Sequence, residues 1–326
     1  MLNAAIVGLG WWGKNLLGAV QDKSERIRFV HGVSKEPDSV RDLAEKHRFK
    51  LSTELQAVLD DPQVEAVVLA TPHSLHCEQI IAVAQAGKPV FCEKPLCLKR
   101  ADAERALAAC SEAGVPIGVG QNKRFWPSVQ ELIKVVRSGV LGQLLHIEGH
   151  YSNENSSKHF SAWRHDPSET PGAGMTGTGI HILDAFSAIA GPVSEVTAQY
   201  VSTRAGPDPL DTVSALFKFE NGLTGILGAV RATPIYWRVH VFGDAGNASA
   251  LGENELVLRL RGAKFERRVF EPLDSIRAEL EAFADAVAGR APYPITPQEM
   301  LDTVTAFEAV TRSIERERAV RAADLR

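Results

Sequence analysis

The chain has 326 residues, and at roughly 150 residues per domain this predicts about two domains, each able to bury its own core. Hydrophobic residues make up 44% and charged residues 23%, close to globular averages, which excludes wholesale disorder, collagen-like repeats and coiled coils. Lys and Arg number 36 against 40 Asp and Glu, a net charge of -4, so the chain offers no basic field and nucleic acid is not an expected partner.

The apolar opening Ala4 to Val7 runs into glycines with no cationic leader, so it is expected to belong to the fold and not to a targeting signal. No apolar run approaches the roughly 18 residues needed to cross a bilayer, and a soluble, cytoplasmic protein without a membrane partner is expected. Short apolar runs at Ala4 to Val7, Phe29 to Val33, Val64 to Ala70, Pro89 to Cys92 and Val115 to Val119 alternate with helical patterns. The helices at Ser74 to Ala86 and Lys99 to Ala113 stop at Gly87 and Gly114. This βαβ rhythm implies a parallel sheet with its ligand crevice beyond the carboxyl ends of the strands.

After Gln121 the rhythm changes. A helix is predicted over Pro127 to Arg137, a strand near Gln143 to Tyr151, a long functional loop from Ser152 to Thr170 and a helix from Thr176 to Ile189. Strand-like runs follow at Val193 to Val201, Val213 to Phe219, Gly222 to Val230, Trp237 to Phe242 and Glu255 to Leu260. Asn221-Gly222 and Asp244-Ala245-Gly246 give hairpin signals, as in an antiparallel sheet. Helices at Ser275 to Ala288 and Pro297 to Glu317 complete the pattern. The division expected is 1–122 for the first domain and 123–326 for an α+β second domain. Leu216, Leu223 and Ile226 are expected on an open sheet face that makes a homodimer or homotetramer.

Gly8-Leu9-Gly10-Trp11-Trp12-Gly13 has the G-x-G-x-x-G spacing between the first strand and a helix, where glycines permit a tight turn and close approach of a pyrophosphate. At the end of the second strand, where an acid would bind a ribose 2′-hydroxyl, the chain reads Val33-Ser34-Lys35, with Glu36 next. A hydroxyl and a cation there favour NADP(H) over NAD(H). Thr71-Pro72-His73 and Glu93-Lys94-Pro95 end later strands and face the same crevice. The four cysteines, Cys77, Cys92, Cys97 and Cys110, form no C-x-x-C pair and read as reduced thiols. His73, His76 and Cys77 span a turn and a helix start without further matched ligands, so no metal is expected.

The glycine motif, Ala70-Thr71-Pro72-His73, Glu93-Lys94-Pro95, and Gly179-Ile180-His181 with Asp184 together resemble the Gfo/Idh/MocA family, named for glucose-fructose oxidoreductase and inositol dehydrogenase. The resemblance spans nearly the whole chain. It implies an N-terminal Rossmann domain with a C-terminal open-faced, mainly antiparallel sheet, and hydride transfer between a nicotinamide and a hydroxyl or ketone carbon of a sugar, cyclitol or related cyclic alcohol.

By that resemblance Lys94 hydrogen-bonds the reacting hydroxyl and Glu93 and Pro95 hold it, with a cis Lys-Pro bond in view, while His181 is the general base. Gly8, Gly10, Trp11, Trp12, Gly13, Ser34, Lys35, Thr71, Pro72, His73, His76, Glu93, Lys94 and Gln121 are the expected cofactor contacts. Lys94, Arg124, Trp163, Arg164, His181 and Asp184 are the expected substrate contacts. Asn122, next to Gln121, belongs to the same crossover segment. One departure stands out: the family usually reads Asp-x-Gly-x-His, and four residues before His181 is Gly177. Thr176, Thr178, Asp166 and Glu169 are the neighbours able to replace that carboxylate. The departure keeps open a cofactor-binding sensor without turnover, and the resemblance itself implies a second alternative, a lyase that keeps its cofactor bound and oxidises its substrate transiently to cleave a glycoside with no net redox change.

Overall fold

The computed structural model describes residues 1–154, 162–172, 174–202, 211–231 and 233–325, so part of the expected loop, 155–161, lies outside the described residues. The chain forms two compact units, Met1–Asn122 with Asp274–Pro297, and Lys123–Leu273 with Gln298–Arg326.

The first unit alternates strand and helix: β1 (Leu2–Val7), α1 (Trp11–Val20), β2 (Ile27–Val33), α2 (Arg41–His47), β3 (Lys50–Ser52), α3 (Gln56–Leu59), β4 (Ala66–Leu69), α4 (His76–Gln85), β5 (Val90–Glu93), α5 (Arg100–Glu112) and β6 (Ile117–Gly120). All six strands are parallel, in the order β3-β2-β1-β4-β5-β6, so the order reverses between β1 and β4. Every residue of β4, β5 and β6 is buried, as a sheet covered on both faces requires. The glycine turn follows β1 at this switch point, where open α/β sheets bind ligands.

In the second unit α6 (Pro127–Arg137) precedes β7 (Leu144–Asn153), α7 (Ile180–Ala190), β8 (Val193–Ser202), β9 (Asp211–Phe219), β10 (Thr224–Arg231), β11 (Tyr236–Gly243), β12 (Gly246–Leu251), β13 (Glu255–Leu260) and β14 (Glu266–Val269). The chain then supplies α8 (Ser275–Val287) to the first unit before α9 (Pro297–Arg316) and β15 (Val320–Arg321). A linear division at residue 122 does not contain this return. Its physical basis is α8, whose Phe283 meets Phe91 edge-on at 5.6 Å, and the following Tyr293, whose hydroxyl donates to Val119 O at 2.7 Å.

The nine-stranded sheet runs β14-β13-β12-β11-β7-β10-β9-β8-β15 and is antiparallel except for the parallel pair β7–β10. Gly149 of β7 lets α7 lie close against the sheet, since a Cβ there would stand 2.1 Å from Ile182 Cγ2. Phe186 of α7 packs edge-on against Phe217 at 5.6 Å and Phe219 at 5.9 Å. On the opposite face Leu216 is 58% exposed and faces its register partner Ile226. Leu223 does not join them: it is buried, because three residues from Ile226 is an odd step in a period of two.

The expected helix from Thr176 begins differently. Met175–Gly179 forms a π-helical turn before α7, and the Thr178 hydroxyl donates to Gly174 O at 2.7 Å. Two glycines and two β-branched threonines weaken α-helix here.

Candidate active site

In the first unit, the ends of β1, β2, β4, β5 and β6 carry the residues singled out by sequence. Gly8 has φ +95° and its N–H donates to Val33 O at 2.9 Å. A Cβ on Gly8 would stand 2.4 Å from Ala70 O, and one on Gly13 would stand 2.0 Å from Gly8 O. Glycine is therefore required at both places, once for the turn and once for helix–strand contact. Gly10 caps α1 without a side-chain acceptor, leaving the first-turn N–H groups to an incoming anion. Trp11 is exposed and its ring lies 5.4 Å from that of Trp12.

Ser34 is buried at the end of β2 and its Oγ accepts the Glu36 N–H at 3.2 Å. Lys35 is exposed and pairs with the exposed Glu54 at 3.1 Å, a contact of little energetic weight. A cavity of about 630 Å³, lined by Pro37, Arg41, Arg48, Phe49, Ser52 and Thr53 among others, opens beside the end of β3.

The turns after β4 and β5 are joined by one ring. The His76 imidazole, fully buried, lies 3.1 Å from Thr71 O through Nε2 and 2.8 Å from Pro95 O through Nδ1, and His73 meets it edge-on at 5.8 Å. Thr71 is held from its other side by a hydrogen bond from Oγ1 to Gln79 at 2.6 Å. Pro72 lies between them. The Lys94-Pro95 peptide is cis. The Lys94 N–H donates to Glu93 Oε2 at 3.2 Å, and Gly120 makes room for that carboxylate, since a Cβ there would lie 2.5 Å from Glu93 Oε1. Gln121, at the end of β6, is buried.

The second unit brings Arg124, Asp184 and Glu299 together. Arg124 donates from Nε and Nη2 to the two Asp184 carboxylate oxygens at 2.9 Å each, from Nη2 to Asp184 O at 2.7 Å, and from Nη1 to Glu299 at 3.1 Å. Burial pushes the Asp184 carboxyl up and Arg124 pulls it back; burial also opposes the Arg124 charge, but the two carboxylates outweigh it and hold that proton tightly. Arg124 and Asp184 thus contact one another, although sequence assigns both to substrate.

His181, one turn before Asp184 on α7, is buried with its ring 6.1 Å from Tyr151. Burial raises the Tyr151 hydroxyl pKa. Lys123 lies over the Trp126 ring at 4.0 Å, and Arg164 over the Trp163 ring at 4.4 Å. Of the groups weighed as replacements at Gly177, Thr178 is committed to Gly174 O, and Asp166 is exposed and accepts from Ser168 N and Oγ at 2.9 and 2.8 Å. Thr176 and Glu169 are both buried. Tyr151 and Glu299 are not singled out by sequence. The period of β7 places Tyr151 with Ile147 and Gly149, and this is the available signal; a lone Glu in the first turn of α9 gives none.

Residues 2–121 match the family model described as an oxidoreductase family with an NAD-binding Rossmann fold, and residues 129–249 match the GFO/IDH/MocA C-terminal domain. The chain belongs to the Gfo/Idh/MocA oxidoreductase family. Within it, the chain is 29% identical over 301 residues to inositol 2-dehydrogenase 2 of Saccharopolyspora erythraea, covering 88% of this chain and 85% of the relative. It is 34% identical over 142 residues to the 2,7-anhydro-N-acetylneuraminate hydratase of Mediterraneibacter gnavus, covering 44% of this chain and 37% of that one. Among solved structures, a levoglucosan dehydrogenase in complex with NADH and levoglucosan shares the fold at a TM-score of 0.86 and 22% identity, with 98% of this chain and 99% of that one covered.

The residues of this Gfo/Idh/MocA chain fit a dinucleotide on two structural grounds. Gly8 and Gly13 sit too close to backbone for any side chain, giving the tight strand-to-helix turn that a pyrophosphate-binding site of this fold needs. Trp12 Nε1 and Gln121 Oε1 are buried with no hydrogen-bond partner among the described residues, leaving a donor and an acceptor for a polar ligand. No helix among the described residues is long and apolar enough to cross a membrane.

Proposed function

We propose that the chain is an NADP(H)-preferring dehydrogenase or ketoreductase acting on the CH–OH carbon of a sugar, cyclitol or related cyclic alcohol. The observation that carries this reading is Lys94, fixed beside Glu93 at the end of β5, in the same unit and sheet whose β1 end carries the tight glycine turn. When bound, the nicotinamide supplies the hydride acceptor or donor. The Gly8 turn and the α1 N-terminus would hold the pyrophosphate. Ser34 and Lys35 would receive a 2′-phosphate, supported by the absence of an acid at either position and by Arg41 and Arg48 in the neighbouring cavity.

Lys94 would hydrogen-bond the substrate oxygen and stabilise alkoxide character as the carbinol hydrogen leaves. His181 would take the hydroxyl proton, since an imidazole ordinarily titrates near working pH. Arg124, Asp184 and Glu299 would hold α7 and so orient His181, while Trp163 and Arg164 would meet the substrate ring. Four buried free thiols support a reducing, cytoplasmic compartment. The exposed Leu216 and Ile226 support a homo-oligomer through the sheet face.

The test follows reduced-nicotinamide absorbance with NADP⁺ and NAD⁺ against sugars, cyclitols, sugar acids and cyclic diols. Turnover with one class, faster with NADP⁺ and lost in Lys94→Ala, supports the proposal. Partial similarity to a hydratase favours one other reading, redox-neutral conversion. It predicts product without net change in nicotinamide absorbance.

A further inference from the structure

His31, Ser52 and Asp61 take no part in the chemistry above, and all three belong to the first unit. β2 and β3 are parallel neighbours with Val33 opposite Ser52, so those two residues share a face of the sheet. His31, two residues before Val33, shares it as well. β3 is the edge strand, and Ser52, its last residue, is half-buried, whereas His31 and Asp61 are buried.

The three side chains stand in line. Asp61 Oδ2 lies 3.0 Å from His31 Nδ1, and His31 Nε2 lies 3.1 Å from Ser52 Oγ. The Asp61 carboxylate is held in place by Lys50 Nζ at 2.8 Å and by the Gln63 N–H at 2.9 Å, and these bonds keep it ionised. An ionised carboxylate can only accept, so His31 carries its proton on Nδ1. The neutral ring then has a bare Nε2, to which the Ser52 hydroxyl donates. This is the nucleophile, base and orienting acid of a hydrolytic triad, which is defined by geometry and role and not by chain order.

Ser52 also lines the cavity of about 630 Å³ at the end of β3. Its walls combine the apolar Phe49 and Leu51 with two guanidinium groups, Arg41 and Arg48, against the one carboxylate of Glu45. Such a wall favours a small ligand with an apolar body and a negative charge.

We infer that Ser52, His31 and Asp61 form a second catalytic site, which hydrolyses carboxylic esters bearing an anionic group in the cavity beside β3. Ser52 Oγ attacks the ester carbonyl carbon as His31 Nε2 takes the hydroxyl proton. The bond to the alcohol oxygen breaks, and the alcohol leaves with that proton, giving an acyl-serine. Water then gives a proton to the same nitrogen and attacks the acyl carbon, and the acid departs as Ser52 regains its proton. One ester and one water become one acid and one alcohol. This activity goes beyond the dehydrogenase reading and needs no nicotinamide.

The test treats the full chain with a fluorophosphonate probe, without nucleotide, and maps the labelled peptide. Label is expected on Ser52, lost when the chain is first unfolded in urea, and formed about 10²-fold more slowly in His31→Gln. No label in the folded chain, label only on Thr53 or elsewhere, or an undiminished rate in His31→Gln overturns the inference. Hydrolysis is followed with 3-acetoxybenzoate and with phenyl acetate. The anionic ester is expected to react at least tenfold faster, and Ser52→Ala to lose both activities. Hydrolysis unchanged in Ser52→Ala overturns the esterase assignment, and an equal rate on the neutral ester overturns the ester class. The probe reports from the unaltered chain even where a variant does not fold, and neither its success nor its failure bears on turnover at Lys94.

Discussion

Arg124 grips both carboxylate oxygens of Asp184 at 2.9 Å, with each side chain 2% exposed, and this buried pair ties the segment after β6 to the helix that carries His181. Removing one member of such a pair strands the other charge in the interior, at a cost of about 3–5 kcal/mol, whereas replacing both with apolar residues is far milder. Asp184→Asn and Arg124→Met are each expected to lower the second unit's unfolding midpoint in urea strongly, and Arg124→Met with Asp184→Leu to recover much of the loss. Single variants within about 1 kcal/mol of the parent would contradict a stabilising role for the pair.

The glycines separate by what surrounds them. Gly13→Ala drives a methyl to within 2.0 Å of Gly8 O, and is expected to cost about 1–3 kcal/mol or more and to abolish nucleotide binding. Gly18, five residues on in the same helix, has open space where a methyl would stand, with nothing within 4 Å, and Gly18→Ala is expected to stabilise by about 0.5–1 kcal/mol with nucleotide affinity unchanged. Thermal unfolding and nucleotide titration of both variants check the contrast.

Cofactor choice is expected to turn on Ser34 and Lys35. Lys35 is exposed and only weakly engaged by Glu54, so Lys35→Asp places an acid where a 2′-phosphate would be repelled and a 2′-hydroxyl accepted. The ratio of NADP⁺ to NAD⁺ in kcat/KM is expected to fall at least tenfold, and a ratio unmoved by this change would assign selectivity elsewhere.

At the β2–β3 edge, Asp61 accepts from Lys50 Nζ at 2.8 Å, lies 3.0 Å from His31 Nδ1 and accepts the Gln63 N–H at 2.9 Å. The Lys50 hydrogen bond, then that from Gln63, lowers its pKa to about 2. A folded pKa below the unfolded value, about 4, gives stability present above pH 4 and lost as pH falls through about 2. Asp61→Asn is expected to lose about 1–2 kcal/mol near neutrality, with the two stability curves converging below pH 3. A constant difference from pH 7 to pH 2 would rule out this origin.

Much of the fold is legible in the sequence because periodicity reports burial. The runs around Ile6, Val67, Phe91 and Val119 are apolar on both faces and form parallel strands. The alternation Val213, Ala215, Phe217 places β9 on one covered face. Less is legible where length or composition masks the period. Lys50–Ser52 is three residues, Gly246–Leu251 is built mainly of small residues without β-branching, and Glu266–Val269 is mostly charged. The glycine turn, the Lys94 turn and His181 are local in sequence and readable as motifs. The partners of Arg124 are not, because residues 60 and 175 positions away meet it only after folding.

The proposed hydride transfer, with Lys94 and His181 handling the hydroxyl proton, is tested most directly by following the hydride. A turned-over alcohol carrying deuterium on its carbinol carbon is mixed with oxidised cofactor in a single turnover, for the unaltered chain and for Lys94→Ala. Deuterium is expected at nicotinamide C4, with transfer slowed by about 10²-fold or more in Lys94→Ala and cofactor affinity held within about threefold. Product formed without label reaching the free nicotinamide, or transfer that survives the loss of Lys94 at full rate, would contradict this chemistry.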